Sequence, residues 1–455
     1  MTPEPTHPLS PNGFLVGGEG RGEGATPRTS KTLRTCHAYP SQVWARRLAR
    51  IVAAILLFAA LFGSAAVSEA VELEQPGANL DVSLLTFGPG EEVWERFGHN
   101  AIQIRDRTGD RTILYNYGIF DFGQKNFFVN FARGLMTYRI AAGDPADELP
   151  MYVAEGRWIV EQKLNLTPAQ RAQLADFLAN NARPENAEYR YDYFRANCST
   201  RVRDALDTAL GGAIRAQTIA PSRGFTYRDE ANRLMSPDPA IMLAMDAGLG
   251  PFADQRLTYW DEGFVPMELM GHLRDIRIKD ETGTARPLVA SERQLAAARL
   301  PDPPDYAPAW LWRALAIGIA GALALLALAR QRQRAWARAA FATLATTTAT
   351  GSGLSGLVLI GLWALTDHVS AWRNENILLF NPLCLLLLPC WLGAFRARWH
   401  PSPFALRIGM TIAFCAGLAF FIKVFPAFPQ DNRFWIALLL PLHLAFVLIL
   451  TANRR

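Results

Sequence analysis

Five cysteines stand in this 455-residue chain, and one of them has the setting of a reactive thiol. Cys384, Cys390 and Cys415 lie in long apolar runs, where a cysteine behaves as a small hydrophobe, and Cys36 sits in a polar leader. No Cys-x-x-Cys pair occurs, so neither a zinc site nor a disulfide framework is encoded; no metal and no cofactor is expected. Cys198 remains, within Tyr189-Arg-Tyr-Asp-Tyr-Phe-Arg-Ala-Asn-Cys-Ser-Thr-Arg-Val-Arg-Asp204. Val202, Ala205, Leu206 and Ala209 come after it at helical spacing, which predicts a helix beginning near Cys198. Free main-chain N–H groups at a helix start favour thiolate over thiol, and Arg201 and Arg203 add positive charge nearby. A thiolate is what nucleophilic acyl chemistry requires, and the same N–H groups suit a tetrahedral oxyanion. The alternative is a buried structural cysteine.

A thiol nucleophile needs a base. The polar region between the apolar runs holds two histidines, His99 and His272. His99 lies in Trp94-Glu-Arg-Phe-Gly-His-Asn-Ala-Ile-Gln-Ile104, where a glycine leads into a strand, a position from which an imidazole can point into a cleft. His272 stands in a helix-like stretch without a polar constellation. Paired with Cys198, His99 completes the minimal acyl-transfer unit, and Asn116 on the neighbouring strand is the candidate to orient its ring. Alone, His99 would read as structural.

The elements that must position these groups are set by patterning. Leu80–Phe87 and 101–104 alternate as strands, and 106–110 is a turn before a third strand at 112–117, a hairpin. Thr167-Pro-Ala-Gln170 supplies an N-cap, a proline at the first helical position and a capping-box glutamine. The class is α+β. Residues 1–45 read as a disordered leader, and 46–70 as a signal peptide or signal anchor; either one exports the domain behind it. Residues 71–300 form the soluble domain, 301–308 a proline-rich linker, and 309–455 a membrane domain. The latter carries apolar runs at 310–329, 340–365, 377–395, 404–425 and 434–450, each long enough to span a bilayer. The net charge of +5 is concentrated in arginines flanking these runs, which excludes nucleic acid as the natural partner. Arginines at 330–338, 396, 398, 454 and 455 fall inside by the positive-inside rule, and the loops 366–376 and 426–433 fall outside. His368, Asn374 and Asn376 in the first of these outer loops, with Arg201 in the soluble domain, are candidates to bind substrate at the outer edge of the membrane.

Leu85-Thr-Phe-Gly-Pro-Gly, Trp94-Glu-Arg-Phe-Gly-His99, Tyr115-Asn-Tyr-Gly-Ile-Phe-Asp-Phe122 and the Cys198 segment resemble the Lnb-type lipoprotein N-acyltransferase family. Gly156-Arg157 and Gly263-Phe-Val-Pro266 resemble the same pattern, and Asp367-His368, Asn374-Glu-Asn376 and Asn381-Pro-Leu383 extend the resemblance into the tail. It implies a permuted papain-like (NlpC/P60-like) periplasmic domain, histidine strand first and nucleophilic cysteine later, followed by a bundle of five transmembrane helices. It also implies a bacterial inner-membrane location, a phospholipid acyl donor and a lipoprotein acceptor whose N-terminal amine is acylated through His99 and Cys198. The same dyad would serve a cell-wall amidase or cysteine peptidase, and a membrane scaffold with a structural Cys198 is the non-enzymatic alternative.

Overall fold

The computed structural model describes residues 49–53 and 75–453. Residues 49–53 are helical and belong to a separate N-terminal unit; the leader and most of the export segment lie outside the described residues.

The soluble domain is built on one antiparallel sheet. Its strands are β1 (Leu80–Phe87), β2 (His99–Asp106), β3 (Arg111–Ile119), β4 (Thr137–Gly143), β5 (Ile159–Leu164), β6 (Glu188–Arg190) and β7 (Val289–Ala296), in the order β7-β5-β1-β2-β3-β4-β6. The hairpin read from the turn at 106–110 joins β2 to β3, with Asp106 accepting the Thr108 N–H at 2.9 Å. Most of β1 is buried because helices cover both faces of the sheet. On one face Val82, Leu84, Ile102 and Tyr115 pack with α3 (Pro168–Asn181) and α4 (Cys198–Ala209). On the other, Leu85, Phe87, Ala101 and Leu114 meet Leu149 and Tyr152 of α2 (Pro145–Ala154). A short α1 (Phe127–Ala132) lies between β3 and β4. Thr167 and Gln170 form the capping box at the start of α3. Asn197 caps α4 and accepts the Thr200 N–H at 2.9 Å, which makes Cys198 the first helical residue.

Two further helices, α5 (Tyr227–Met235) and α6 (Pro239–Gly248), lead to the membrane side, and α7 (Pro266–Leu273) closes the core of the domain. Five segments are long and apolar enough to cross a membrane: α8 (Leu311–Arg330), α9 (Ala335–Leu365), Glu375–Gly393, α10 (Pro403–Phe421, with a further turn to Val424) and α11 (Arg433–Ala452). The third is not one helix. Asn381-Pro382 interrupts it, and two 3-10 turns precede a short α-helix. Its freed backbone is sealed in protein: Gly356 of α9 leaves room for the Phe380 carbonyl, which a Cβ would approach to 2.0 Å, and His443 Nε2 donates to the Leu379 carbonyl at 2.9 Å.

The two domains meet through buried polar groups. Arg228 is surrounded by Asp246 (3.0 Å) and Asp254 (2.9 Å) and also donates to the Leu249 carbonyl at 2.8 Å. Trp435 of α11 donates to Asp246 at 2.7 Å, and the Asp431 N–H to Asp254 at 3.0 Å. Gln430 donates to the Leu249 carbonyl at 3.0 Å, and the Gly250 N–H to the Ser370 carbonyl at 2.7 Å. Burial pushes the Asp254 carboxyl upward, and the Arg228 guanidinium beside it opposes that rise. Removing one partner of a buried ion pair leaves the other uncompensated, so Arg228→Met should cost about 3–5 kcal/mol of stability. Denaturant unfolding of the detergent-solubilised protein checks this, and a loss below about 1 kcal/mol would contradict it.

Candidate active site

His99 opens β2, and Asn116 lies on β3, where it pairs with Ala101. The His99 Nε2 is 3.0 Å from Asn116 Oδ1, and Asn116 Nδ2 donates to Glu148 Oε2 of α2 at 2.6 Å. This chain assigns its own protons. A carboxylate only accepts, so the amide must turn its NH2 to Glu148 and its oxygen to His99. The imidazole then carries its proton on Nε2 and keeps the Nδ1 lone pair for a substrate or thiol proton. Gly143 gives Glu148 its space, since a Cβ there would fall 1.8 Å from the carboxylate.

The thiol reaches the same place from α4. A Cβ on Gly118 of β3 would lie 3.3 Å from the Cys198 Cβ, and this glycine has a φ of +92°. Only a residue without a side chain lets the helix start come so near the strand while adopting that backbone. The Asn100 N–H, next after His99, acts on the Cys198 sulfur together with the N–H groups of Ser199 and Cys198 itself. The Ser199 hydroxyl ties the helix start to β2, lying 2.8 Å from Asn100 Oδ1 and 2.7 Å from the Gly263 carbonyl, and its one proton goes to one of these two acceptors. Tyr152 of α2 stacks on His99 with centroids 6.3 Å apart. Arg157 lies over that ring at 4.7 Å and acts on both His99 and Cys198. His99, Asn116 and Cys198 are thus brought to one neighbourhood at the mouth of β2.

The charge state differs from the thiolate that the helix start suggests. Burial pushes the Cys198 thiol up to about 11, outweighing the main-chain N–H groups and Arg157. Burial pushes His99 down to about 4, against the support of Asn116. At neutral pH the site therefore rests as thiol and neutral imidazole. Desolvation of a charge outweighs the helix terminus here. Arg201 and Arg203 are also employed otherwise than expected. Arg201 lies over the rings of Tyr189 and Tyr117 at 4.6 and 5.7 Å, and Arg203 pairs with Asp204 at 2.8 Å over Trp260. The cation that lowers the thiol is Arg157.

The outer-loop candidates divide. Asn374 and Asn376 are buried, and their amides are consumed on the α6 terminus. Asn374 Nδ2 donates to the Ala247 and Gly248 carbonyls at 2.8 and 2.9 Å, and Asn376 Nδ2 to Ala247 at 3.0 Å. They clamp the two domains together instead of facing lipid, because the docked domain covers them. His368 lies in a cleft of about 410 Å³ with Arg190, Tyr191, Tyr193 and Arg195. Its Nε2 is 2.9 Å from the Phe131 carbonyl; a carbonyl accepts, so Nε2 donates. His272 bonds Glu262 at 3.0 Å, within a cluster that Arg223 neutralises. Glu148 went unread in the sequence, although Asp144-Pro145 and an acidic first turn announce its helix.

A neutral thiol makes a simple prediction. Alkylation of Cys198 by iodoacetamide, followed by peptide mass spectrometry, should be slow at pH 6–8 and accelerate as pH climbs toward about 11. A rate already saturated at pH 7 would contradict the neutral pair.

Comparison with known proteins supplies an independent reading. Residues 71–230 match the family model of the Lnb N-terminal periplasmic domain, and residues 314–455 that of the Lnb transmembrane domain. No curated protein and no solved structure matches the chain. Both domains are present in order, on a sheet domain followed by five apolar spans, which makes this a multi-pass membrane protein with a periplasmic domain. The chain belongs to the Lnb family.

Proposed function

We propose that this membrane-anchored, lipoprotein-modifying protein is a lipoprotein N-acyltransferase that carries the acyl group as a thioester on Cys198. The observation that supports the reading most is the Cys198 thiol under the N–H of Asn100, the residue next to His99 of the His99–Asn116–Glu148 chain, in a domain clamped onto the outer end of the spans. A hydrolase acting on soluble substrate has no need of that clamp.

In the first half-reaction His99 Nδ1 takes the thiol proton as sulfur attacks the ester carbonyl of a phospholipid. The resulting oxyanion is met by main-chain N–H groups at the start of α4. The ester C–O bond breaks, the imidazolium returns its proton to the departing alkoxide, and lysophospholipid leaves. In the second, the α-amine of a lipoprotein attacks the thioester, His99 accepts the amine proton, and the C–S bond breaks to restore the thiol. Because the imidazole is a weak base, its cation must be stabilised as it forms, and Asn116 and Glu148 provide this by holding the Nε2 proton.

The pH dependence has a definite sign. His99 is neutral above about 4 and the thiol is neutral below about 11, so thioester formation should be flat between pH 5 and 9. The acceptor amine is nucleophilic only when unprotonated, so transfer to it should rise with pH up to about 8. Mass spectrometry of lipoprotein N-termini from cells with and without the protein tests the activity. Cys198→Ala should abolish N-acylation, while Cys415→Ser should leave it intact. N-acylation at the normal rate in Cys198→Ala would overturn the proposal. Glu148→Leu should slow transfer about 10–100-fold through misorientation of His99, with Glu148→Gln closer to wild type because its carbonyl still accepts from Asn116. Equal rates for wild type and Glu148→Leu would remove Glu148 from the mechanism.

A further inference from the structure

The segment after Gly118 gathers exposed apolar side chains on the periplasmic domain, and the His99–Asn116–Glu148 chain does not use it. Ile119-Phe-Asp-Phe-Gly-Gln-Lys-Asn-Phe-Phe-Val-Asn-Phe131 leaves β3 and enters α1. Phe128 is 72% exposed, with Val129, Phe122 and Phe131 also exposed, and Trp94 packs edge-on to Phe122 from a neighbouring turn. Soluble surfaces seldom gather so many large apolar groups without a partner.

Its position says what the partner is. The carboxyl end of α1 is fixed to the outer end of membrane helix α9. The Asp367 N–H donates to the Arg133 carbonyl at 2.8 Å, and His368 Nε2 to the Phe131 carbonyl at 2.9 Å. Gly134 allows this approach, since a Cβ there would lie 2.8 Å from the Asp367 main chain. Trp363 and Leu365, exposed at the end of α9, lie just before that junction in the chain. The exposed aromatic face therefore continues the apolar surface of a membrane span, and Lys125 and Arg133 border it as basic residues border interfacial helices.

The other end of the segment is the thiol. A Cβ on Gly118 would lie 3.3 Å from the Cys198 Cβ, and two residues on Phe120 stacks on Tyr138 (5.1 Å) and on Phe127 (6.1 Å), Tyr138 stacks on Tyr191 (4.1 Å), Phe122 meets Phe127 edge-on (5.1 Å), and Phe127 reaches Phe131 (6.2 Å). Aromatic rings run from Phe120, two residues after Gly118, to the junction with α9. We propose that this segment is an aromatic wedge seated in the outer leaflet, along which an acyl chain of a bilayer lipid passes from the membrane to Cys198. The use of the path, though not the seating, rests on the acyltransfer reading above.

Photo-crosslinking of the full chain tests the seating. p-Benzoylphenylalanine replaces Phe128 or Phe131 in a Cys198→Ala background, and the protein is reconstituted into vesicles of radiolabelled phosphatidylethanolamine and phosphatidylglycerol. The control position is Asp110, in the turn at the opposite end of the hairpin from His99. Irradiation should attach lipid at 128 and 131 at least tenfold more than at 110; equal labelling at all three positions would overturn the wedge. Cys198→Ala forms no thioester, so this outcome is independent of the chemistry. In the chain with Cys198 intact, Phe128→Ser combined with Phe131→Ser should slow acyl labelling of Cys198 from vesicle phospholipid at least tenfold, and an unchanged rate would overturn the path. Strong lipid crosslinking at Phe128 with no acyl label on Cys198 in the wild type would instead count against the acyltransferase reading and leave the wedge standing.

Discussion

The last carbonyls of a helix have no partner within it, and in α6 those of Ala247, Gly248 and Leu249 are met by amides from beyond the soluble domain. Asn374, Asn376 and Gln430, on the outer loops of the membrane bundle, supply them. Such groups cannot be left unpaired once buried, so the domain has one seat on the bundle. The position of the candidate site relative to the spans, the contact of α1 with the end of α9, and the opening beside His368 all go with that seat. The Arg228 cluster reinforces it from below with charge, and Lys423 paired to Glu375 secures the loop that carries the amides.

The proposed chemistry begins from neutral groups. A buried ion pair would offer a stronger nucleophile, but its charges would have to be held without water. A thiol and an imidazole are easier to keep beside lipid chains, and charge appears only while the proton moves. The Asn116 amide joins the two requirements. Its orientation is set by Glu148, it sets the tautomer of His99, and it stands ready for the imidazolium. The bare backbone of Gly118 then decides how near the thiol can come.

Much of this was legible in the sequence because it is local. A helix beginning near Cys198, a histidine at a strand entrance, and Asn116 on the neighbouring strand each rest on spacing a few residues long, and the apolar runs and flanking arginines give the spans and their direction. What escaped depended on contacts across the chain. Asn374 and Asn376 are polar residues in an outer loop, and only the docking of a domain more than a hundred residues away turns them from solvent-facing ligands into buried clamps. Glu148 needs the register of β3 against α2. The neutral state of Cys198 depends on burial, which a helix-start rule does not contain, and Arg201 was drawn to tyrosine faces that no linear spacing reveals. The break in the third span was written in Asn381-Pro382, yet its tolerance came from Gly356 and His443 on other helices.

The proposed covalent acyl intermediate on Cys198 is the step on which the rest of the proposed chemistry depends, and it can be observed without an acceptor. Purified full-length protein is incubated in vesicles whose phospholipid carries a labelled acyl chain, then digested and analysed by mass spectrometry before and after neutral hydroxylamine. Label confined to the Cys198 peptide and released by hydroxylamine is the predicted result, because hydroxylamine cleaves thioesters. Absence of label on Cys198 while lipoproteins added to the same vesicles still become N-acylated would contradict it.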